Sequence, residues 1–388
     1  MLGYLLARAG IDVVVLEKYK DFFRDFRGDT VHPSTLQVLF ELGLLDRFLA
    51  LPHDEARELS GQIGGKSITL ADFTHLPTRC KFIALVPQWN FLNFLSDEAK
   101  KFAGFHLMLE TEATGLIVER GRVMGVEAKG PDGAISIRVE LTIGADGRHS
   151  TLRAQSGLDV ESLGAPMDVL WFRVSRKEGD VSQPLGKVER GRIMIMIARG
   201  TYWQCAWLIR KGAFDEIKSR GLDAFRSDIV MLAPELCGRV SEIESFDDVK
   251  LLTVTVDRLL RWQRRGLLCI GDAAHAMSPI GGVGINLAIQ DAVAAANILV
   301  PAFRAGSPRY GHLRAVQKRR DFPTRATQWA QVQIQNRIIG RILGNDVHLK
   351  IPLPFRLLGM FPILRRIPAR LVGLGVRPEH PRLFSPQS

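Results

Sequence analysis

Only four cysteines occur in the 388 residues, Cys80, Cys205, Cys237 and Cys269, and no two of them form a C-x-x-C pair. That spacing excludes the usual structural zinc sites and iron–sulfur clusters and suits a protein kept reduced. No uncharged apolar run reaches the ~18 residues of a membrane-spanning helix. The first residues also lack the pattern of a secretory leader. Both point to the cytoplasm. Internal repeats and low-complexity stretches are absent. Nucleic acid is excluded as a partner, because the basic charge comes without any nucleic-acid-binding motif. Acids are scarce in one region only: residues 301–388 hold 16 Lys and Arg against Asp321, Asp346 and Glu379. The preceding 300 residues are nearly balanced, with 36 basic against 38 acidic side chains. An excess of that kind forms a solvated helical face or attracts anions, a lipid surface among them.

What is present is an ordinary globular composition, 46% hydrophobic and 24% charged, long enough for two intimately packed domains. The most informative stretch runs from Leu267 to Asn286. Leu267, Leu268, Cys269 and Ile270 form an apolar run of strand character. Gly271-Asp272 breaks it and leaves a carboxylate just past its carboxyl end, where open α/β sheets bind ligands. After Pro279 the chain is glycine-rich (Gly281, Gly282, Gly284), and Asn286 opens an alanine-rich helix to about residue 299. A glycine loop feeding a helix presents unpaired N–H groups and the positive end of a dipole, a place suited to negative charge.

The pattern G-D-A-A-H-x-x-x-P-x-x-G-x-G-x-N over residues 271–286 closely resembles the second FAD-binding signature of the flavoprotein aromatic hydroxylases, the para-hydroxybenzoate hydroxylase family. The resemblance implies that Asp272 holds the ribityl chain of FAD. It also implies that Pro279, Gly282, Gly284, Ile285 and Asn286 lie along the isoalloxazine ring. A second stretch, Gly144-Ala-Asp146-Gly147-Arg-His-Ser150-Thr-Leu-Arg153, is similar to the family's D-G-x-x-S-x-x-R motif. That motif serves the FAD pyrophosphate side and is tied to NAD(P)H use, with Asp146 as its cofactor-binding residue. Ser150 or Thr151 is placed to cap the helix that follows.

The N-terminal residues read as the later half of a dinucleotide-binding βαβ unit. A helix over 1–10 stops at Gly10, a β-branched strand over 11–16 follows, and Glu17 stands where an acid bonds the ribose hydroxyls. The G-x-G-x-x-G pyrophosphate loop expected ahead of that helix does not occur in the 388 residues. By the same resemblance Arg27 neutralises the FAD phosphates and Gln88 lies beside the cofactor. His32 and His275 are expected to be structural hydrogen-bond partners rather than bases, and no catalytic residue is assigned.

Between these motifs, apolar spacing predicts a helix over 36–49, a strand over 85–86 and a helix over 89–102. Strands follow over 107–109 and 115–118, then a hairpin of 123–128 with 135–143 about the turn Pro131-Asp-Gly133. Long strands rich in Val, Ile, Trp and Met run from 168 to 210, and another strand covers 251–256. A long helix occupies 309–343. The fold class is α/β: a Rossmann-like FAD-binding domain with an inserted antiparallel β-sheet substrate domain and a C-terminal helical region. The expected divisions are 1–165 and 261–300 for the FAD-binding domain, 166–260 for the substrate sheet and 301–388 for the basic helical region.

The function implied is that of an FAD-dependent monooxygenase. It would use NADH or NADPH and O2 to hydroxylate an aromatic or polyketide-like small molecule through a flavin C4a-hydroperoxide. Two alternatives stand beside it. One is a related flavoprotein acting on a lipid or isoprenoid, with residues 350–370 as a basic, apolar contact to the membrane surface. The other is a non-catalytic paralogue that binds FAD poorly for want of the glycine loop.

Overall fold

The computed structural model describes residues 1–23, 30–180, 185–344 and 353–384. Helix Leu2–Arg8 is followed by strand Val13–Leu16, which pairs in parallel with Phe105–Met108. Thr142–Gly144 pairs in parallel with Leu267–Cys269, and Gln263–Arg264 adds an antiparallel third strand. Parallel pairing with helices at the faces is the doubly wound pattern that the sequence predicts. It is assembled here from two separate pairs. Among the described residues neither Val13–Leu16 nor Thr142–Gly144 has a strand on its second side. A Val-Val-Val-Leu strand of a parallel sheet is normally buried on both faces; here Val14 is 39% exposed.

The hairpin about Gly133 forms as expected, with Ile135 opposite Ala128, but the run 135–143 is not one strand. After Val139, whose N–H still donates to the Met124 carbonyl, the chain leaves the hairpin, and the Thr142 N–H is taken by the Gly266 carbonyl of the other sheet. The helix expected over 36–49 is likewise two pieces, Pro33–Glu41 and Leu45–Leu49. Gly43 turns the chain between them, and the Leu44 N–H reaches back to Leu39.

The large sheet has seven strands in the order Lys250–Leu252, Met167–Ser175, Tyr202–Arg210, Arg192–Arg199, Leu185–Glu189, Glu58–Ile63, Lys66–Asp72. Its last two strands come from the segment the sequence assigns to the cofactor domain, so the sheet is wider than residues 166–260. The join is made where Gly61 meets Gly186 across a parallel pair, since a Cβ on Gly61 would lie 3.1 Å from the Gly186 carbonyl oxygen. The strand expected over 251–256 forms only as Lys250–Leu252.

Side chains alternate across this sheet, which gives it two unlike faces. Phe172, Trp203, Cys205 and Trp207 pack on Phe225 and Ile229 of helix Leu222–Leu232. Met167, Val169, Ala206 and Leu208 point the other way, toward Ile339 and Leu343. Within Tyr202–Arg210, Trp203, Cys205, Trp207 and Ile209 are thus core, while Gln204, Ala206 and Leu208 face the cavity described below.

Helix Gly284–Arg304 is the central element. It is long and apolar enough by composition to cross a membrane, yet 72% of its most apolar window is buried inside the protein. The helix expected over 309–343 runs as Tyr310–Ile334, a π-turn over Gln335–Ile339 and a last turn Gly340–Leu343.

Candidate cofactor site

One cavity of about 2520 Å³ runs from the edge of Val13–Leu16, past the glycine loop, to the free face of the seven-stranded sheet. This is well above the ~300–1,000 Å³ of a pocket for one small ligand. Of the residues predicted from sequence, Glu17, Gln88, Asp146, Asp272, Pro279, Gly282, Gly284 and Ile285 all line it. Arg27 lies outside the described residues.

The glycine loop is held from several sides. Strand Leu267–Cys269 ends in the turn Gly271–Ala273, and Pro279 caps a second turn, Ile280–Gly282. Gly282 has φ 62°, and a Cβ there would lie 2.5 Å from Thr30 Oγ1, so both its conformation and its closeness require glycine. Helix Gly284–Arg304 then begins. Its first internal bond runs from Leu287 N–H to the Val283 carbonyl, which leaves the N–H groups of Gly284, Ile285 and Asn286 outside the helical ladder. With a 21-residue dipole behind them, these donors favour negative charge on whatever lies against the loop.

The side chain of Asn286 is engaged within the protein. Its Oδ1 accepts from His32 N–H at 2.9 Å and from Thr35 Oγ1 at 2.7 Å, and its Nδ2 donates to the carbonyls of Thr30 and Gly282, each at 3.3 Å. It therefore clamps residues 30–35 onto the glycine loop, and only its backbone is offered to a ligand. His32 is buried, with Nδ1 2.8 Å from the Val372 carbonyl, and burial pushes its imidazole down to about 4. His275 Nε2 lies 2.6 Å from Asp291 Oδ2, and the Gly271 N–H donates to the same oxygen at 3.0 Å. Arg320 Nε donates to Asp291 Oδ1 at 2.9 Å, and all three side chains are almost fully buried. Burial alone would raise the Asp291 carboxyl, but His275 and Arg320 outweigh it and hold it below the usual carboxylate range. Both histidines are thus fasteners, as their place in turns suggests.

The second motif is built differently from its simplest reading. Asp146 bonds Ser150 Oγ and accepts from Leu152 N–H at 3.1 Å, so it fastens the start of helix Thr151–Gln155. Ser150 Oγ caps that helix by accepting from Arg153 N–H at 2.9 Å. Arg153 pairs with Asp257 at 2.9 Å and donates to the Arg148 carbonyl at 2.6 Å. These bonds display Arg148 to the cavity, where its Nη2 donates to Asp272 Oδ2 at 3.4 Å. Arg148 Nη1 is buried without a hydrogen-bond partner, a cation edge left for an acceptor on a ligand. Sequence reasoning passed over Arg148 and took the motif's named positions. The signal available was its place between Asp146-Gly147 and the capping Ser150. Thr30 and Thr35 were also missed, and no local pattern marks them.

At the far end Glu17 follows its strand, with its N–H on the Met108 carbonyl at 2.9 Å and its Oε1 accepting from Tyr19 N–H at 3.1 Å. Gln88 begins helix Gln88–Ala99. The FAD expected from the sequence fits the glycine-loop half of this cavity: a helix N-terminus, a left-handed glycine without room for a Cβ, and an unsatisfied arginine edge beside Asp272.

Residues 1–330 match the family described as FAD binding domain (FAD_binding_3). The chain is 30% identical over 343 residues to 6-methylpretetramide 4-monooxygenase of Streptomyces rimosus, covering 87% of this chain and 81% of that protein. It is 27% identical over 313 residues to rifampicin monooxygenase of Streptomyces venezuelae, covering 75% of this chain and 60% of that one. Among solved structures, PqsL, a probable FAD-dependent monooxygenase from Pseudomonas aeruginosa, matches with a TM-score of 0.74 at 22% identity, covering 88% and 94% of the two chains. At that identity the likeness is one of fold.

Proposed function

Because the chain belongs to the FAD binding domain family and is an oxidoreductase of the FAD-dependent monooxygenases, we propose that it uses NAD(P)H and O2 to hydroxylate an aromatic or polyketide-like small molecule. The observation that carries this reading is the continuity of one cavity. The helix N-terminus of the glycine loop and the apolar face of the seven-stranded sheet open into the same space. FAD, when bound, supplies the redox chemistry, taking reducing equivalents from NAD(P)H and activating O2.

The protein's own residues then have separable tasks. The N–H groups of Gly284 and Ile285 stabilise negative charge on a ring laid against them. Asp272 with Arg148, Glu17, Gln88 and Arg27 serve the ribityl, ribose and phosphate portions. Met167, Val169, Ala206 and Leu208 form a wall that keeps water from the reacting atoms. Gln204 lines the cavity on the same face of the sheet, 4% exposed, and its Oε1 accepts from Arg199 Nε at 3.4 Å. That bond fixes the amide's orientation, so Gln204 serves as a polar guide for a substrate hydroxyl or carbonyl.

A second reading, a lipid or isoprenoid substrate, is favoured by one observation. An exposed apolar hairpin over residues 353–373 borders the same cavity. The discriminating experiment loads the protein with FAD and follows NAD(P)H oxidation against phenols, polycyclic aromatics and isoprenoid quinones. Oxidation stimulated by an aromatic, with a hydroxylated product, supports the proposal. An FAD-loaded protein that none of them stimulates sinks it.

A further inference from the structure

Helix Leu353–Met360, the turn Pro362–Arg365 and helix Arg366–Gly373 form a hairpin that leaves an apolar side in water. Leu353, Met360, Phe361, Ile363, Ile367 and Leu371 are each between 50 and 70% exposed. Ile363, Ile367 and Leu371 recur every four residues, so they form one stripe along the second arm. Met360 to Ile363 are four consecutive exposed residues at the turn. Scattered exposed apolar residues need no explanation, but a contiguous stripe does.

The charge carried by the segment itself has one sign, and of the neighbouring acids Asp72 faces Arg366. Residues 353–378 carry Arg356, Arg365, Arg366, Arg370 and Arg377 and no Asp or Glu. Arg365 ties the two arms, donating to the carbonyls of Leu358 at 2.9 Å and Gly359 at 3.3 Å. Arg356 and Arg370 are exposed beside the stripe. A surface complementary to this arrangement is apolar beneath and anionic above. We propose that the hairpin docks the protein on an anionic phospholipid surface, with Met360, Phe361 and Ile363 entering the acyl boundary and the arginines against headgroup phosphates. Four exposed residues in succession at a turn suit entry between headgroups better than burial on a flat protein face.

The inner side of the same hairpin explains why its position matters. Ala369 and Gly373 are buried against Phe73 and Leu76 beside the edge strand Lys66–Asp72, while Phe355, Leu358, Pro368 and Val372 line the cavity. Docking therefore sets the cavity wall against the lipid surface, from which an apolar substrate is drawn. That consequence rests on the monooxygenase reading; adhesion to lipid does not.

The test is flotation of the full chain with phosphatidylcholine vesicles, with and without phosphatidylglycerol, at low and high salt. The protein is expected to float with the anionic vesicles and to be largely released by salt. Phe361→Asp with Ile363→Asp abolishes flotation. Arg356→Gln with Arg370→Gln lowers partitioning onto anionic vesicles roughly tenfold or more. Both variants keep the unfolding midpoint, since the side chains are exposed, and both keep NAD(P)H oxidation on a water-soluble substrate. Lipid binding and turnover thus fail separately. The proposal is overturned if the unaltered protein does not float, or if the tip variant floats equally well. It is also overturned if sedimentation shows a dimer that the tip variant dissolves while flotation is absent, because a second copy then covers the hairpin.

Discussion

At the glycine-loop end of the cavity Asn286 and Asp291 each have several fixed partners, whereas at the Glu17 end the supporting strand has a neighbour on one side only among the described residues. Asn286 makes four hydrogen bonds that tie residues 30–35 to the loop, and Asp291 receives His275, Arg320 and the Gly271 N–H. Val13–Leu16 pairs with Phe105–Met108 alone among the described residues, and no phosphate-binding glycine loop occurs in the 388 residues. A dinucleotide is bound along its length, so the two ends share one task but not one energetic basis. The first end should govern folding stability. The second should govern cofactor affinity.

Arg320→Ala should break that comparison most severely. It leaves Asp291, with 0% of its side chain exposed, without its guanidinium partner, and it removes the longer of Glu379's two arginine contacts, 3.4 Å against 2.7 Å for Arg319. Removing one partner of a buried pair costs about 3–5 kcal/mol. Urea unfolding should show a loss of that size. A loss within experimental error would mean that the network does not support the loop. His32 gives a gentler version, read by pH. The unfolded chain takes a proton on this imidazole below its ordinary value of 6.5, whereas burial holds the folded one unprotonated down to about 4. Stability is therefore full above 6.5 and falls as pH drops through that window, by about 3 kcal/mol in all. His32→Gln should flatten the curve over that window relative to the unaltered protein, and equal slopes would remove His32 from the account.

The open end is tested by affinity. The 388 residues alone are expected to bind FAD weakly. Joined to an apolar strand and a G-x-G-x-x-G loop ahead of Leu2, they should bind it roughly hundredfold more tightly, as two or so charge-assisted N–H bonds would give. Flavin fluorescence quenching measures both. Equal affinities would show that Glu17 and the glycine-loop end suffice.

How much of this was readable beforehand depended on the range of the contacts involved. The Gly271–Asn286 and Asp146–Arg153 stretches could be read because turn, cap and glycine requirements are local and fix the spacing. Three of the four partners of Asn286 stand 251 to 256 positions away, at Thr35, His32 and Thr30, and no periodicity connects them. Arg320 lies in a largely polar helix, where an arginine ordinarily reads as solvated. The two strands from 58 to 72 were not assigned to the large sheet because their partner, Leu185–Glu189, lies more than a hundred residues on. Strand identity is local, but sheet membership is not.

Arg148 separates the two ends most finely, because it belongs to neither network. Its carbonyl accepts from Arg153, which any residue at 148 would preserve, while its guanidinium meets Asp272 at 3.4 Å in a half-open setting. A pair that exposed contributes ~0–1 kcal/mol to folding, so Arg148→Met should leave the unfolding midpoint nearly unchanged. The unsatisfied Nη1 has its use only when an acceptor arrives, and a hydrogen bond from a charged donor is worth about 1.5–3 kcal/mol. Part of that is offset by Asp272, which already neutralises the cation, so FAD affinity should fall about five- to tenfold. Titration of the variant against the unaltered protein decides it. An unchanged affinity with a lowered midpoint would make Arg148 a fold-holding residue and move the boundary between the two ends past Asp272.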